Sequence, residues 1–310
     1  MLTRIANRSV SLLIVGMVLG GCQSAPQSSL PANVPTQAVD HAMGTSQVPQ
    51  SPERVVVLDT AALDAAIALG VHPVGTVRYG NAPDYLGDAV ENITVVGEDN
   101  QPHLEAILQL EPDLILGSKI ASGKLYRQLS RIAPTVLTEG SGREGEWQQH
   151  FQLYAEALGN DEQAEQLLAD YHRQVANLQA QIGQPEVIEV SVIATSRDRI
   201  GAYTTGSFPG SVLQDIGFSR NPSQDKSGAY AIQLSREKLE DIDGDVLFLI
   251  HSPHLEGSHT LKTFSQDPIW SQLEAVQQNR ICEVPNEVWI AGRSLLAAQQ
   301  ILEDVKHCLL

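Results

Sequence analysis

Three histidines, His251, His254 and His259, lie close together in a polar run just after the apolar stretch Val246–Ile250. Imidazoles at this spacing can share a divalent metal only if the loop folds back on itself, and no cysteine joins them; the alternative is a solvated loop. A second group is cationic and aromatic. Arg78, Lys119, Arg197 and Arg199 follow directly on short apolar runs, and Tyr79, Tyr203, Trp289 and Arg293 complete the candidate set with His251. Open parallel sheets bind ligands beyond the carboxyl ends of their strands, which is where these positions fall. Guanidinium, ammonium and aromatic groups on one rim suit a bulky, oxygen-rich anion, held by charge-assisted hydrogen bonds and stacking. Taken singly, the same residues could cap helices or sit in water. A third feature is a pair of carboxylates. Glu105 and Glu237 each precede by eight positions an Asp, Asp113 or Asp245, that opens an apolar run. Each begins a predicted helix, where the helix dipole favours negative charge. The chain has no Gly-X-Ser-X-Gly elbow, phosphate-binding Gly-rich loop, His-Glu-X-X-His run or dinucleotide fingerprint after its first strand. The chemistry on offer is binding: no catalytic residue, resident metal or cofactor is assigned.

The elements that must hold these residues alternate. Apolar runs at Arg54–Leu58, Val74–Val77, Thr94–Val96, Asp113–Gly117 and Thr135–Thr138 read as strands, with helices at Ala61–Leu69 and near 103–110 and 122–132. Strands that alternate with helices predict an α/β lobe with a mainly parallel sheet. One long helix then intervenes. Ala164, Leu167, Leu168, Tyr171, Val175, Leu178 and Ile182 recur at three- and four-residue steps, with Asn160 and Gln163 as a capping pair and Gly183 as the stop. Alternation resumes with strands at Val187–Thr195, Val246–Ile250 and Ile281–Val284, and helices near 210–216, 269–276 and 294–307. The expected fold is α/β: two Rossmann-like lobes with mainly parallel sheets, joined by a single long α-helix, with the ligand cleft between them.

The chain opens with Arg4 and Arg8, an apolar run from Val10 to Leu19, and Leu19-Gly20-Gly21-Cys22. A basic start, a short apolar core and small residues before a cut describe a signal peptide, and the run is too short to span a bilayer, which needs roughly 20 apolar residues. The last four residues resemble a bacterial lipobox, which makes Cys22 the acylated mature N-terminus. The Gln-, Ser- and Pro-rich stretch that follows reads as a flexible tether. The expected organisation is signal peptide 1–21, tether 22–50, N-terminal lobe 51–158, connecting helix 159–183 and C-terminal lobe 184–310. The protein is then exported and lipid-anchored, facing the periplasm or the cell exterior. With 37 acidic against 20 basic residues, net −17, nucleic acid is disfavoured as a partner. Cys282 and Cys308 remain for an oxidising compartment, where a disulfide can form.

Several segments together resemble the ferric-siderophore-binding proteins of ABC importers. In the first half these are Pro52–Leu58, Pro102–Glu105 running to Asp113–Gly117, and Leu129–Val136. In the second half they are Ser207–Gly217, Ser235–Glu237 running to Phe248, and Asp267–Trp270 with Val288-Trp289. The ordered match spans about 52 to 307. The resemblance implies a monomer that captures an Fe(III)-siderophore between the lobes and delivers it to a permease dimer in the cytoplasmic membrane. It further implies that Glu105 and Glu237, one per lobe, pair with permease arginines. The three histidines depart from this pattern and leave haem or a metal ion as the alternative ligand.

Overall fold

The computed structural model describes residues 34–78, 84–196, 199–251 and 268–310. Tyr79, Arg197, His254, His259 and Cys22 lie outside these residues.

The first element departs from the expected tether. β1 (Thr36–His41) and β2 (Gly44–Pro49) form an antiparallel hairpin closed at His41↔Gly44. Val39, Val48 and Pro49 are its buried residues, so the composition looks like a linker; the pairing is fixed by contacts made elsewhere. β3 (Val55–Val57), β4 (Gly75–Arg78), β5 (Thr94–Glu98), β6 (Gln101–Pro102), β7 (Leu114–Ser118) and β8 (Thr135–Thr138) form one sheet in the order β6-β5-β4-β3-β7-β8. Within it only β6 runs antiparallel to its neighbour. The hairpin covers the β8 edge. Ala42 N–H donates to Leu137 O at 3.0 Å, Ser46 Oγ donates to Thr135 O at 3.0 Å, and Leu137 N–H donates to His41 Nδ1 at 3.4 Å.

This lobe also holds α1 (Thr60–Ala68), α2 (Leu104–Gln109), α3 (Lys119–Ser122), α4 (Tyr126–Ile132) and α5 (Trp147–Leu158). Asp59 starts α1 as its N-cap, accepting from the Ala62 N–H at 2.8 Å. α5 was not expected. It ends at Gly159 in the left-handed region (φ 72°) and is followed at once by α6 (Asp161–Ile182). The predicted bounds of α6 hold, but not its cap: the Asn160 amide donates to Leu69 O at 3.3 Å instead of closing its own helix.

In the second lobe are β9 (Glu189–Ser196), β10 (Arg199–Tyr203), α7 (Phe208–Ile216), β11 (Ser219–Arg220), β12 (Ala231–Leu234), β13 (Val246–His251), α8 (Glu274–Gln277), β14 (Ile281–Pro285), α9 (Asn286–Trp289) and α10 (Leu295–Leu309). The sheet runs β12-β10-β9-β13-β14, with β11 also parallel to β9. β9, β13 and β14 are parallel, while β10 is antiparallel to both neighbours. Cys282 on β14 is disulfide-bonded to Cys308 on α10, with Cα atoms 5.9 Å apart.

The core is continuous between the lobes. Trp147 of α5 meets Tyr171 of α6 (centroids 5.1 Å) and Phe208 of α7 (6.2 Å), both edge-on. Such pairs add about 0.5–1.5 kcal/mol each beyond their buried area. Asp215 on α7 accepts from Tyr171 Oη at 2.8 Å and from Gln148 Nε2 at 3.3 Å, so the second lobe is fastened to both α5 and α6. Among the described residues no helix is long and apolar enough to cross a membrane.

Candidate functional site: the interlobe cleft

Strand ends of the first sheet carry two of the predicted cations, and each faces a carboxylate. Arg78 closes β4 and pairs with Glu98, the last residue of β5, at 3.4 Å; Lys119, just after β7, pairs with Glu139, just after β8, at 2.6 Å. All four side chains are exposed, so each pair adds little stability but lowers the positive potential the rim would otherwise present.

Across the cleft, Arg199 opens β10 and His251 closes β13, with its Nδ1 3.4 Å from Val284 O. Among the described residues no group of His, Cys, Asp and Glu is arranged to hold a metal. Tyr203 ends β10 and does line a cavity of about 210 Å³, together with Arg143, Ser207, Phe208, Tyr230 and Trp289. Arg143 comes from the first lobe, on the loop after β8, and stands 6.0 Å over the ring of Tyr230 from the second. Its carbonyl accepts from the Phe208 N–H at 3.0 Å. Binding cavities for drug-sized ligands run roughly 300–1,000 Å³, so this one suits a single arm of a chelate. The cation and two tyrosines supply charge-assisted hydrogen bonding and stacking.

Two predicted ligand residues have other work in the structure. Trp289 is fully buried, its ring stacked on Phe248 (centroids 4.8 Å) and its indole N–H donated to Asp304 at 2.8 Å. It backs the cavity wall and offers no open platform. Arg293 is buried between the lobes with φ 60°, a left-handed conformation uncommon outside glycine. It donates to Thr60 Oγ1 at 2.7 Å, Ser141 O at 3.0 Å and Ala291 O at 3.2 Å. Beside it His150 is buried and its pKa is lowered, first by desolvation. Nearby, Glu146 is raised, also first by burial.

Arg143 and Tyr230 were missed. Arg143 follows a strand, as Lys119 does, but the run Gly140-Ser141-Gly142-Arg143-Glu144-Gly145 reads only as a turn; Gly142 and Gly145 take φ of 78° and 83°. Tyr230 precedes β12, a strand too short and too little buried to be seen in the sequence. Glu105, in the first turn of α2, and Glu237 are both exposed. Glu237 lies in the first turn of a 3₁₀ segment, Arg236–Ile242, and not of the α-helix expected.

Residues 55–288 match the family model described as periplasmic binding protein. The chain is 34% identical to the probable siderophore-binding lipoprotein YfiY of Bacillus subtilis (strain 168), over 95% of this chain and 94% of that one. It is 28% identical to the Fe(3+)-citrate-binding protein YfmC of the same organism, over 95% and 93%. Among solved structures, Staphylococcus aureus SirA complexed with staphyloferrin B superposes with a TM-score of 0.77 at 31% identity, covering 88% of this chain and 98% of that one. A two-lobed α/β structure with a cleft between the lobes, matched in sequence and in structure over nearly its full length, makes this chain a member of the periplasmic binding protein family.

Proposed function

We propose that this protein is the extracytoplasmic substrate-binding component of an ABC importer, and that it carries an Fe(III)-siderophore in the interlobe cleft. The observation that carries the reading is the likeness, across both lobes, to a structure complexed with staphyloferrin B. The cavity lined by Arg143, Tyr203 and Tyr230 supports it chemically. The same reading gives the chain no catalytic step and no resident cofactor. Its partners are the ferric chelate, a permease dimer met through Glu105 and Glu237, and the membrane through a lipid on Cys22. Arg78, Lys119 and Arg199, with Tyr79 and Arg197 beyond the described residues, remain proposed ligand contacts on the rim. Haem or a bare metal on His251, His254 and His259 finds no support in the relatives' names.

All three tryptophans, Trp147, Trp270 and Trp289, are buried, and Trp289 backs the cavity. Titration of intrinsic fluorescence with Fe(III)-citrate and Fe(III)-staphyloferrin B is expected to give a Kd of roughly 1 μM or tighter for at least one of them, about −8 kcal/mol. Tight binding of haemin or free metal, with no response to ferric chelates of several classes, would sink the reading.

A further inference from the structure

Behind the cavity wall lies a charge that the site so far described does not use. Arg220, on β11, is 8% exposed. Its Nη2 donates to the Tyr203 carbonyl oxygen at 2.6 Å and to Gln224 Oε1 at 2.8 Å. Its Nε and Nη1 are buried and find no hydrogen-bond partner, and no carboxylate among the described residues forms an ion pair with it. The carboxylate that acts on it from a distance is Asp225, which is exposed and therefore screened by water. A cation taken out of water without a matching anion is costly, and burial draws the guanidinium pKa down to about 10.

The surroundings tie this group to the ligand cavity. Gln224 is fully buried; its Oε1 also accepts from the Val192 N–H at 2.9 Å, and its Nε2 donates to Ser191 Oγ at 3.1 Å. From there bonds run to the wall: Thr205 N–H to Gln224 O at 2.9 Å, Gly206 N–H to Lys226 O at 3.1 Å, and Thr204 N–H to Tyr230 O at 3.1 Å. The guanidinium is thus bonded to the backbone of one cavity tyrosine and, through this ladder, to the segment that carries the other. The rim cations Arg78 and Lys119 are each neutralised by a glutamate; Arg220 is not. In a chain of net charge −17, an anion is retained only where the local potential is positive, and a cation shielded from water acts over a longer range than one on the rim.

We infer that Arg220 is a specificity determinant acting through the cavity wall, a buried positive charge whose counter-charge is the anionic ferric chelate bound against Tyr203 and Tyr230. The inference rests on the ferric-chelate reading above. It has a signature that a packing role lacks. Replacing a buried, partly unsatisfied ion by an apolar group is often neutral or stabilising, so stability and ligand affinity should move apart.

The test is made in the otherwise intact protein, with Fe(III)-citrate and Fe(III)-staphyloferrin B as probes. Arg220→Met is expected to weaken binding about tenfold while the Tm of the ligand-free protein holds or rises, and Arg220→Lys is expected to bind within about threefold of wild type. Unchanged affinity in Arg220→Met overturns the inference; so does a joint fall of affinity and Tm that Arg220→Lys fails to restore. If Arg220→Met does not fold, Arg220→Lys is compared with Arg220→Gln, which keeps a donor but no charge, and equal affinities overturn the inference. Wild-type protein that binds neither chelate removes the functional reading, and the inference falls with it.

Discussion

Asp64 ties the two lobes together through its side chain. It lies on α1, fully buried, yet its carboxylate caps α10 from the other lobe: Oδ1 accepts from the Leu296 N–H and Oδ2 from the Ala297 N–H, both at 2.9 Å, and Tyr85 Oη donates to Oδ2 at 3.0 Å. Burial pushes its pKa up to about 7 against the pull of these bonds. With the folded value above the unfolded one near 4, the proton binds the native state more tightly. The stability from this linkage is complete below pH 4 and is lost as pH rises through about 7. Asp64→Asn puts an NH₂ where one backbone N–H needs an acceptor, and is expected to destabilise the protein by about 1–3 kcal/mol. Denaturant unfolding should give a deficit that is widest at about pH 4 and below and narrows until about pH 7. A deficit that widens with pH would mean the three donors hold the carboxylate ionised. None of this was legible in the sequence, where Asp64 is one acidic residue in an alanine-rich helix. Arg143 was hidden for a similar reason: a rim position can be recognised from a strand end, but its partner Tyr230 lies 87 residues further on in sequence. Trp289 and Arg293 were legible as positions near strand ends, but not as side chains turned inward, because that depends on Phe248, Asp304, Thr60 and Ser141, which come from distant segments.

The elements divide in the same way. α6 is legible because 22 residues keep one apolar face, and the buried strands of both sheets are legible as unbroken apolar runs. β1 and β2 are not, since two buried valines in fourteen residues, 36–49, give no period to read. Their stability comes from the β8 edge, whose open backbone they cover. A chain begun at Ser51, where the composition places the domain boundary, should therefore be less stable than one begun at Val34. The truncation removes the burial of Val39, Val48 and Pro49 and four hydrogen bonds to the first lobe, a net loss of about 3–5 kcal/mol once the entropy of ordering the hairpin is set against them. Equal denaturation midpoints for the two chains would show the hairpin to be a bystander. The disulfide acts on the other terminus: it closes a 26-residue separation, worth roughly 3.5 kcal/mol in the chain-entropy account.

At the scale of the whole molecule, each lobe carries one exposed glutamate just after an edge strand of its sheet. Glu105 follows the short return strand β6, and Glu237 follows β12, which is parallel to β9 because both flank the antiparallel β10. Neither lines the described cavity. One carboxylate per lobe suits the dimeric permease proposed above, which would engage both at once, the second contact gaining from the first. Glu105→Ala with Glu237→Ala is therefore expected to leave affinity for the ferric chelate in solution within about threefold, roughly 0.65 kcal/mol, while uptake into cells is lost. Loss of chelate binding by the purified double variant would move both residues into the ligand site.

The N-terminal hairpin also bears on how an anchored body would meet the permease proposed above. With the anchor at Cys22, as proposed, thirteen residues, 23–35, separate the lipid from β1, and whatever their conformation they reach no further than about 50 Å. A body confined to a hemisphere of that radius above its lipid has a local concentration in the millimolar range. Once lipid and permease have drifted together in the membrane, re-encounter is fast. On the proposed function, delivery would then depend on lateral diffusion and on how the tethered body is turned relative to the bilayer, and the affinity of docking can stay weak enough to let the emptied protein leave.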